Sequence, residues 1–431
     1  MSFIKEILSK PLFKATSLNG ISILLKICIG FITSKFIAVF VGPSGMALVG
    51  NLRNFLSSTE AISTLGFENG VVKYVAEKKD NSEGLQKIIS TVFVTIALLS
   101  CFLGVVLFLF SYNFNCSVFG INYHYNFVFK ALALALPWYV GNIFLTAIIN
   151  GLGNYKKVIY INAIGSCIGL FITVFLIWKF QINGAFLAVI LTPTVLFAVS
   201  FGMINSEIRI LNHISWNSFD FSILKKLSSF SLMVLVSSVF GPMVFLAIRN
   251  TIIEDIGVEQ AGFWEAITRI SSYYMLFVTT ILMIYFLPKL AASKDNLETK
   301  SIFFSYYKGI IPVFLLGLIS IYFLKKFIIN ILFTAAFQPL SQLFLWQLIG
   351  DFLKALALIL GINFYAKNLT KAFIVTELVS LMILYFSSLF FLAKYGIEGV
   401  VIAHAFTYAV YLLVLSIYFR KSLFVKTNEK A

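Results

Sequence analysis

Apolar runs of about twenty residues, the length needed to cross a hydrocarbon core of roughly 30 Å, follow one another along the whole chain with short polar turns between them. Inside a bilayer every backbone polar group must be satisfied by the chain itself, so only helices and closed barrels can span it. These runs are too long to be barrel strands, and the chain reads as an all-α integral membrane protein. Composition agrees, with 60% hydrophobic and only 12% charged residues. The pattern predicts about twelve transmembrane helices, over 16–41, 44–67, 87–110, 128–150, 158–178, 184–206, 227–249, 259–287, 302–324, 339–364, 372–393 and 398–419. The longest connections are 111–127 on one side and 207–226 on the other. The second carries Trp216 and Phe219, suited to anchoring at a membrane interface. It divides the chain into a six-helix lobe over 1–206, an inter-lobe loop over 207–226 and a six-helix lobe over 227–431.

The net charge of +15 calls for no nucleic-acid partner. Most Lys and Arg fall in alternate loops, among them Lys73, Lys78, Lys79, Lys87, Lys156, Lys157, Lys225, Lys226, Lys289, Lys294 and Lys300. The other side holds few, such as Lys179, Lys325, Lys326 and Lys394. This is the positive-inside asymmetry, and it places both termini in the cytoplasm. Residues 1–14 are short, basic and amphipathic with no cleavage site, and read as an interfacial lead-in. Cys28, Cys101, Cys116 and Cys167 have neither metal nor redox spacing and read as small apolar fillers.

Against this apolar background stands a polar stripe: Gly50, Arg53, Ser57, Glu60 and Thr64, at i, i+3, i+7, i+10 and i+14, share one helix face. A second stripe in the other half, Gly262, Glu265, Arg269, Ser272 and Thr279, has nearly the same order. Charge at bilayer depth normally faces a protein interior or a water-filled cavity and marks a pathway. Two such stripes suggest a duplicated transporter with a polar cavity. The weak internal repeat supports this, since Gly-bearing turns precede the second helix and the last helix of each half: Gly42-Pro43-Ser44-Gly45, Asn183-Gly184, Ala261-Gly262 and Gly396-Ile397-Glu398-Gly399.

Further deep polar residues accompany the stripes. Lys26 lies on one face with Asn19, Ser22 and Thr33, whereas Lys35 points the other way and can snorkel. Arg249 ends the seventh helix. Gln347, Asp351 and Lys354 share a face of the tenth, Glu377 lies in the eleventh, and His404 and Thr407 in the twelfth. Glu265/Arg269 and Asp351/Lys354 also read as self-neutralising pairs that only hold helices together. His404 reads as a packing residue before a proton relay. Pro137, Pro193, Pro242 and Pro312 fall inside predicted helices, and Gly241-Pro242 is either a hinge or a static kink. The deep charges are modestly cationic. Guanidinium suits bidentate phosphate recognition and Lys supplies a point charge, which matches an anionic, hydroxyl-rich cargo such as a sugar attached to a phosphate. No Walker loop, soluble domain, large external loop or metal-spaced cluster points to an enzyme, a cofactor or a metal.

Several runs carry a family resemblance: Lys26-x8-Lys35, Gly42-Pro43-Ser44-Gly45 with Asn51-Leu52-Arg53, Asn69-Gly70-Val71-Val72-Lys73-Tyr74-Val75-Ala76, Gly262-Phe263-Trp264, and Trp346-Gln347-Leu348-Ile349-Gly350-Asp351-x2-Lys354. With six helices plus six, the chain resembles the MOP exporter superfamily. Within it, the chain is similar to the Wzx-type polysaccharide-biosynthesis flippases, the group of the O-antigen translocases and lipid III flippases. The resemblance implies a MATE-like, V-shaped bundle in the bacterial inner membrane. It implies alternating access that moves an undecaprenyl-pyrophosphate-linked oligosaccharide from the cytoplasmic to the periplasmic leaflet, alongside membrane lipids and polysaccharide polymerase machinery. Lys26, Arg53, Arg249 and Arg269 would then contact pyrophosphate or acidic sugars, Glu60 would share the first-lobe stripe, and Asp351 and Lys354 would line the second lobe. Glu265 departs from the expected pattern, where an uncharged polar residue should stand. That leaves a different sugar or an altered ion-coupling site open. The runner-up is a cation-coupled multidrug-type antiporter of the same superfamily, which should favour acidic over basic cavity residues.

Overall fold

The computed structural model describes residues 11–205 and 208–424, with side chains from residue 24 onward except at 228–230. The lead-in read at 1–14 therefore lies, up to residue 10, outside the described residues. No strand occurs among the described residues. The first half comprises α1 (Pro11–Phe40), α2 (Gly42–Thr64), α3 (Glu68–Lys78), α4 (Ser82–Leu109), α5 (Ser111–Phe119), α6 (Asn126–Gly151) and α7 (Tyr155–Asn205). The second comprises α8 (Phe221–Asp255), α9 (Val258–Ile281), α10 (Leu287–Ala292), α11 (Asn296–Gly309), α12 (Ile311–Leu332), α13 (Phe344–Ala366), α14 (Thr370–Tyr395), α15 (Ile397–Tyr418) and α16 (Arg420–Leu423). Nine helical stretches among the described residues are long and apolar enough to cross a membrane. One of them, α7, holds two of the expected spans. α1 and α2 lie outside that set, α2 because its polar stripe dilutes the apolar surface. The chain is thus a multi-pass helical membrane protein with about twelve spans.

Several elements differ from the sequence pattern for local reasons. The connection at 111–127 contains α5, because Asn115 donates to the Tyr123 carbonyl and accepts from the Tyr125 amide, while Phe119 packs on Phe186 and Tyr125. Pro312 is not in a helix interior. It occupies the first turn of α12, where its missing N–H costs nothing. The ninth span accordingly begins earlier, at α11, whose N-cap Asp295 accepts from the Glu298 amide while Glu298 accepts from the Lys294 amide. This local exchange satisfies donors that the first helical turn leaves open. Leu65 and Gly66, both left-handed (φ 51° and 64°), end α2 and release the amphipathic α3.

Chain contacts group the residues into two compact units, 1–41 with 51–242, and 42–50 with 243–431. Two helices pass from one unit to the other: α2 changes unit after Gly50, and α8 after Pro242.

The hairpin between the last two spans is built alike in each unit. In the first, α7 breaks at Gln181 (φ 50°, ψ −122°), and Gly184 then approaches so closely that a Cβ would lie 1.9 Å from the Leu176 carbonyl oxygen. In the second, Gly396 takes φ 59°, ψ −143°, and a Cβ on Gly399 would lie 2.0 Å from the Phe391 carbonyl oxygen. The reversal, the close glycine and the carbonyl recur at matching intervals, which is the internal repeat in three dimensions. The turn position is glycine in one unit and Gln181 in the other, and a side chain is strained in this region of backbone space. Replacing Gln181 with Gly should therefore stabilise the protein by about 1 kcal/mol. A raised thermal midpoint in detergent checks this; a midpoint that stays or falls removes the claim of strain.

Candidate functional site

Each unit holds buried polar groups on its own helices. In the second unit, Glu265 of α9 is clamped by two arginines. Arg249 of α8 donates from Nη2 to one carboxylate oxygen at 2.6 Å, and Arg269 donates from Nε to the other at 2.7 Å. Arg249 is 1% exposed, and its guanidinium lies over the Trp264 ring, 5.1 Å from the centroid. Trp264 in turn stacks on Phe245. Gly50 makes room for the carboxylate: a Cβ there would sit 2.5 Å from the Glu265 Cδ and Oε2. Gly262, one turn earlier on α9, lets that helix touch the Gly42-Pro43 turn, where a Cβ would meet the Pro43 carbonyl oxygen at 2.0 Å.

The sequence pairing of Glu265 with Arg269 was half of this cluster. Two guanidinium groups thus share one carboxylate. Both terminal nitrogens of Arg269 are buried without a hydrogen-bond partner. Buried donors are normally satisfied, and at membrane depth an unsatisfied one is costly. Arg269 lines none of the described cavities, so an anion with two acceptor oxygens would meet these two donors only where the surrounding helices part.

Asp351 of α13 is completely buried. It accepts from Ser271 Oγ at 2.7 Å, from Gln347 Nε2 at 3.1 Å and from Tyr274. His404 of α15 completes the shell, its Nε2 3.0 Å from the other carboxylate oxygen. Gly350 admits the imidazole, since a Cβ there would lie 2.3 Å from His404 Cδ2. The partner across helices is therefore His404, which the sequence had placed as a packing residue. Lys354 sits over the Tyr408 ring at 5.3 Å.

In the first unit, the stripe on α2 opens into two cavities. Arg53 lines one of about 270 Å³ together with Thr33, Ser166, Thr173 and Thr192. Lys26 lies exposed on α1, two turns before Thr33 on the same face. Glu60 lines another, of about 250 Å³, with Ser57, Thr64, Glu68 and Ser237, and accepts a hydrogen bond from Tyr139 of α6. Glu68 was not singled out from the sequence. Burial at the head of α3 raises its carboxyl above the ordinary range. Tyr139, Ser271 and Tyr274 were also missed. The last two stand at i, i+3 on the α9 face that carries Asp351's partners, a spacing that would have disclosed them once Asp351 was placed.

The fold of the chain is that of solved transporters of the MOP superfamily. An inward-facing multidrug-resistance MATE family transporter of that superfamily superposes with a TM-score of 0.78 at 13% identity, covering 94% of this chain and 96% of the other. The lipid II flippase MurJ in an inward closed conformation gives 0.71 at 16% identity, over 95% and 90%. At the level of sequence, the chain is similar to the protein named lipid III flippase in Escherichia coli K12. The two are 28% identical over 406 residues, spanning 93% of this chain and 96% of the relative. No family model matches the chain.

The clamp yields a direct test. Glu265→Gln removes the carboxylate that both buried guanidinium groups share, and should cost roughly 3–5 kcal/mol of stability, the usual penalty of breaking a buried pair. Removing a guanidinium at the same time, in Glu265→Gln/Arg249→Met, should recover part of the loss. Thermal unfolding of the three proteins in detergent measures both; equal losses in the single and double variants would show that Glu265 is not a counter-ion.

Proposed function

We propose that the protein flips an undecaprenyl-pyrophosphate-linked oligosaccharide, an O-antigen or related repeat unit, from the cytoplasmic to the periplasmic leaflet of the bacterial inner membrane. It does so by alternating access of two six-helix lobes, 1–206 and 227–431, joined by 207–226, with both termini in the cytoplasm. The observation that carries this reading is the pair of buried Arg269 terminal nitrogens that no hydrogen bond of the protein meets. A diphosphate supplies acceptor oxygens in the geometry that a guanidinium edge requires. The name of the E. coli relative supports a lipid-linked cargo. Arg53, Arg249, Arg269 and Lys26 bind pyrophosphate or acidic sugar. Glu265 holds the arginines in place and explains its own departure from the family pattern without a new sugar or ion. Glu60 and Lys354 face the polar path of the sugars, and Asp351, enclosed in its own hydrogen-bond shell, holds the helix that carries Lys354.

A cation-coupled multidrug-type antiporter is the second reading. The superposition on a MATE transporter and the enclosed Asp351–His404 pair favour it. The two readings separate in a deletion strain. Flipping of a lipid-linked glycan predicts that undecaprenyl-pyrophosphate oligosaccharide accumulates on the cytoplasmic face and surface polysaccharide is lost. An antiporter predicts an unchanged glycan pool and altered resistance to organic cations. In the complemented strain, Arg53→Ala and Arg269→Ala should lower surface glycan strongly while membrane insertion is unaffected. Lys substitutions should rescue partly, because Lys lacks the planar fork. Normal glycan export in both Ala variants would discard the pyrophosphate assignment.

A further inference from the structure

The first unit contains a cavity of about 450 Å³ that shares no residue with the polar sites. Phe93, Trp138 and Phe197 wall it, and Ile210, Leu211 and Ile214, from the segment between α7 and α8, roof it. Trp138 meets Phe197 edge to face at 5.3 Å. Gly141 keeps that wall flat, because a Cβ there would lie 2.8 Å from the Phe197 ring. Ser100 is the one hydroxyl side chain in the lining, and its Oγ already donates to the Ala97 carbonyl at 3.1 Å. The lining is otherwise aliphatic and aromatic, and an apolar hollow of this kind takes hydrocarbon.

The roof is tied down and charged at one end. Ser90 of α4 donates to the His213 carbonyl at 2.7 Å and accepts from the Ser215 amide at 3.0 Å. Thr91 accepts from the Asp220 amide at 2.9 Å. Leu211 is nevertheless 63% exposed, and Trp216, Phe219 and Phe221 beyond it are exposed too, the mark of a segment lying in a membrane interface. Arg209, exposed, directly precedes the roof, and the His213 ring, one turn on, contacts its carbonyl at 3.3 Å. Arg209 and His213 thus stand next to the roof residues Ile210, Leu211 and Ile214 in a segment whose exposed aromatic residues suit a membrane interface. One guanidinium with one imidazole matches a single phosphodiester more closely than a diphosphate.

We propose that this cavity holds one acyl chain of an anionic membrane phospholipid, with its phosphate at Arg209 and His213. The lipid fastens the segment between α7 and α8 to the first unit, whichever cargo is carried. The test uses the full chain in nanodiscs containing phosphatidylglycerol with a photoreactive diazirine in its acyl chain, followed by peptide mapping. The peptides bearing Leu211–Ile214 and Phe93–Ser100 should be labelled several-fold above the peptide bearing Phe171, a lipid-facing residue 81% exposed. Arg209→Glu should lower roof labelling several-fold and leave Phe171 labelling unchanged. Ala97→Trp, which fills the slot, should abolish roof labelling. A zwitterionic phosphatidylcholine probe should label the roof weakly. Roof labelling no higher than at Phe171, or equal in wild type and Arg209→Glu, would overturn the proposal. So would roof labelling displaced by undecaprenyl phosphate but not by unlabelled phosphatidylglycerol, which would give the slot to a prenyl chain.

Discussion

Charge held away from water is the constraint on which the second unit is organised. A lone guanidinium at bilayer depth is expensive, and Arg249 and Arg269 also repel each other. One carboxylate between them answers both costs, provided that it reaches both. The backbone has been shaped to let it: Gly50 vacates the space the Glu265 carboxylate fills, and Gly262 lets α9 lie against the Pro43 carbonyl. The Trp264 face then covers Arg249, adding cation–π attraction where hydration is lost. The glycines of the two stripes are thus part of the electrostatics. Their absent side chains set the distance at which the ions meet.

A second constraint is geometric and acts at the hairpins. Two antiparallel helices joined by a reversal of a few residues bring a backbone carbonyl against the first turn of the returning helix. Only glycine tolerates that approach, and it stands there twice, at Gly184 and Gly399. Such a device, repeated with the same internal spacing in each unit, is better evidence of duplication than the stripes, because it depends on backbone shape and not on the cargo. The reversal residue itself differs, being Gln181 in the first unit and Gly396 in the second.

The helical membrane architecture was legible because an apolar run long enough to span a bilayer has few alternatives. What lay hidden depends on distant partners. α5 is too short and mixed to announce itself, and it exists through Asn115 and the packing of Phe119. The turn read at Asn183-Gly184 is a break at Gln181, because glycine there serves close approach and not reversal. Glu265 and Arg269 fall on one helix face and were paired at once, whereas Arg249 lies across a turn on another helix. Asp351 was read with Lys354, its neighbour on the helix, yet its cross-helix partner His404 is 53 residues away. Helical spacing reveals pairs within one helix and is silent about contacts between two.

The two buried acids of the second unit end in opposite states of satisfaction. Asp351 receives hydrogen bonds from Ser271, Tyr274, Gln347 and His404, so its acceptor capacity is met from within. Glu265 is met equally well, but by donors that have more to give, and the excess is left on Arg269. A neutral or cationic ligand beside Arg269 would leave those donors unsatisfied in a medium that penalises them. An anion with two acceptor oxygens would satisfy both. On the proposed function, discrimination between cargo classes would rest on the donors that the protein's own carboxylate does not cover.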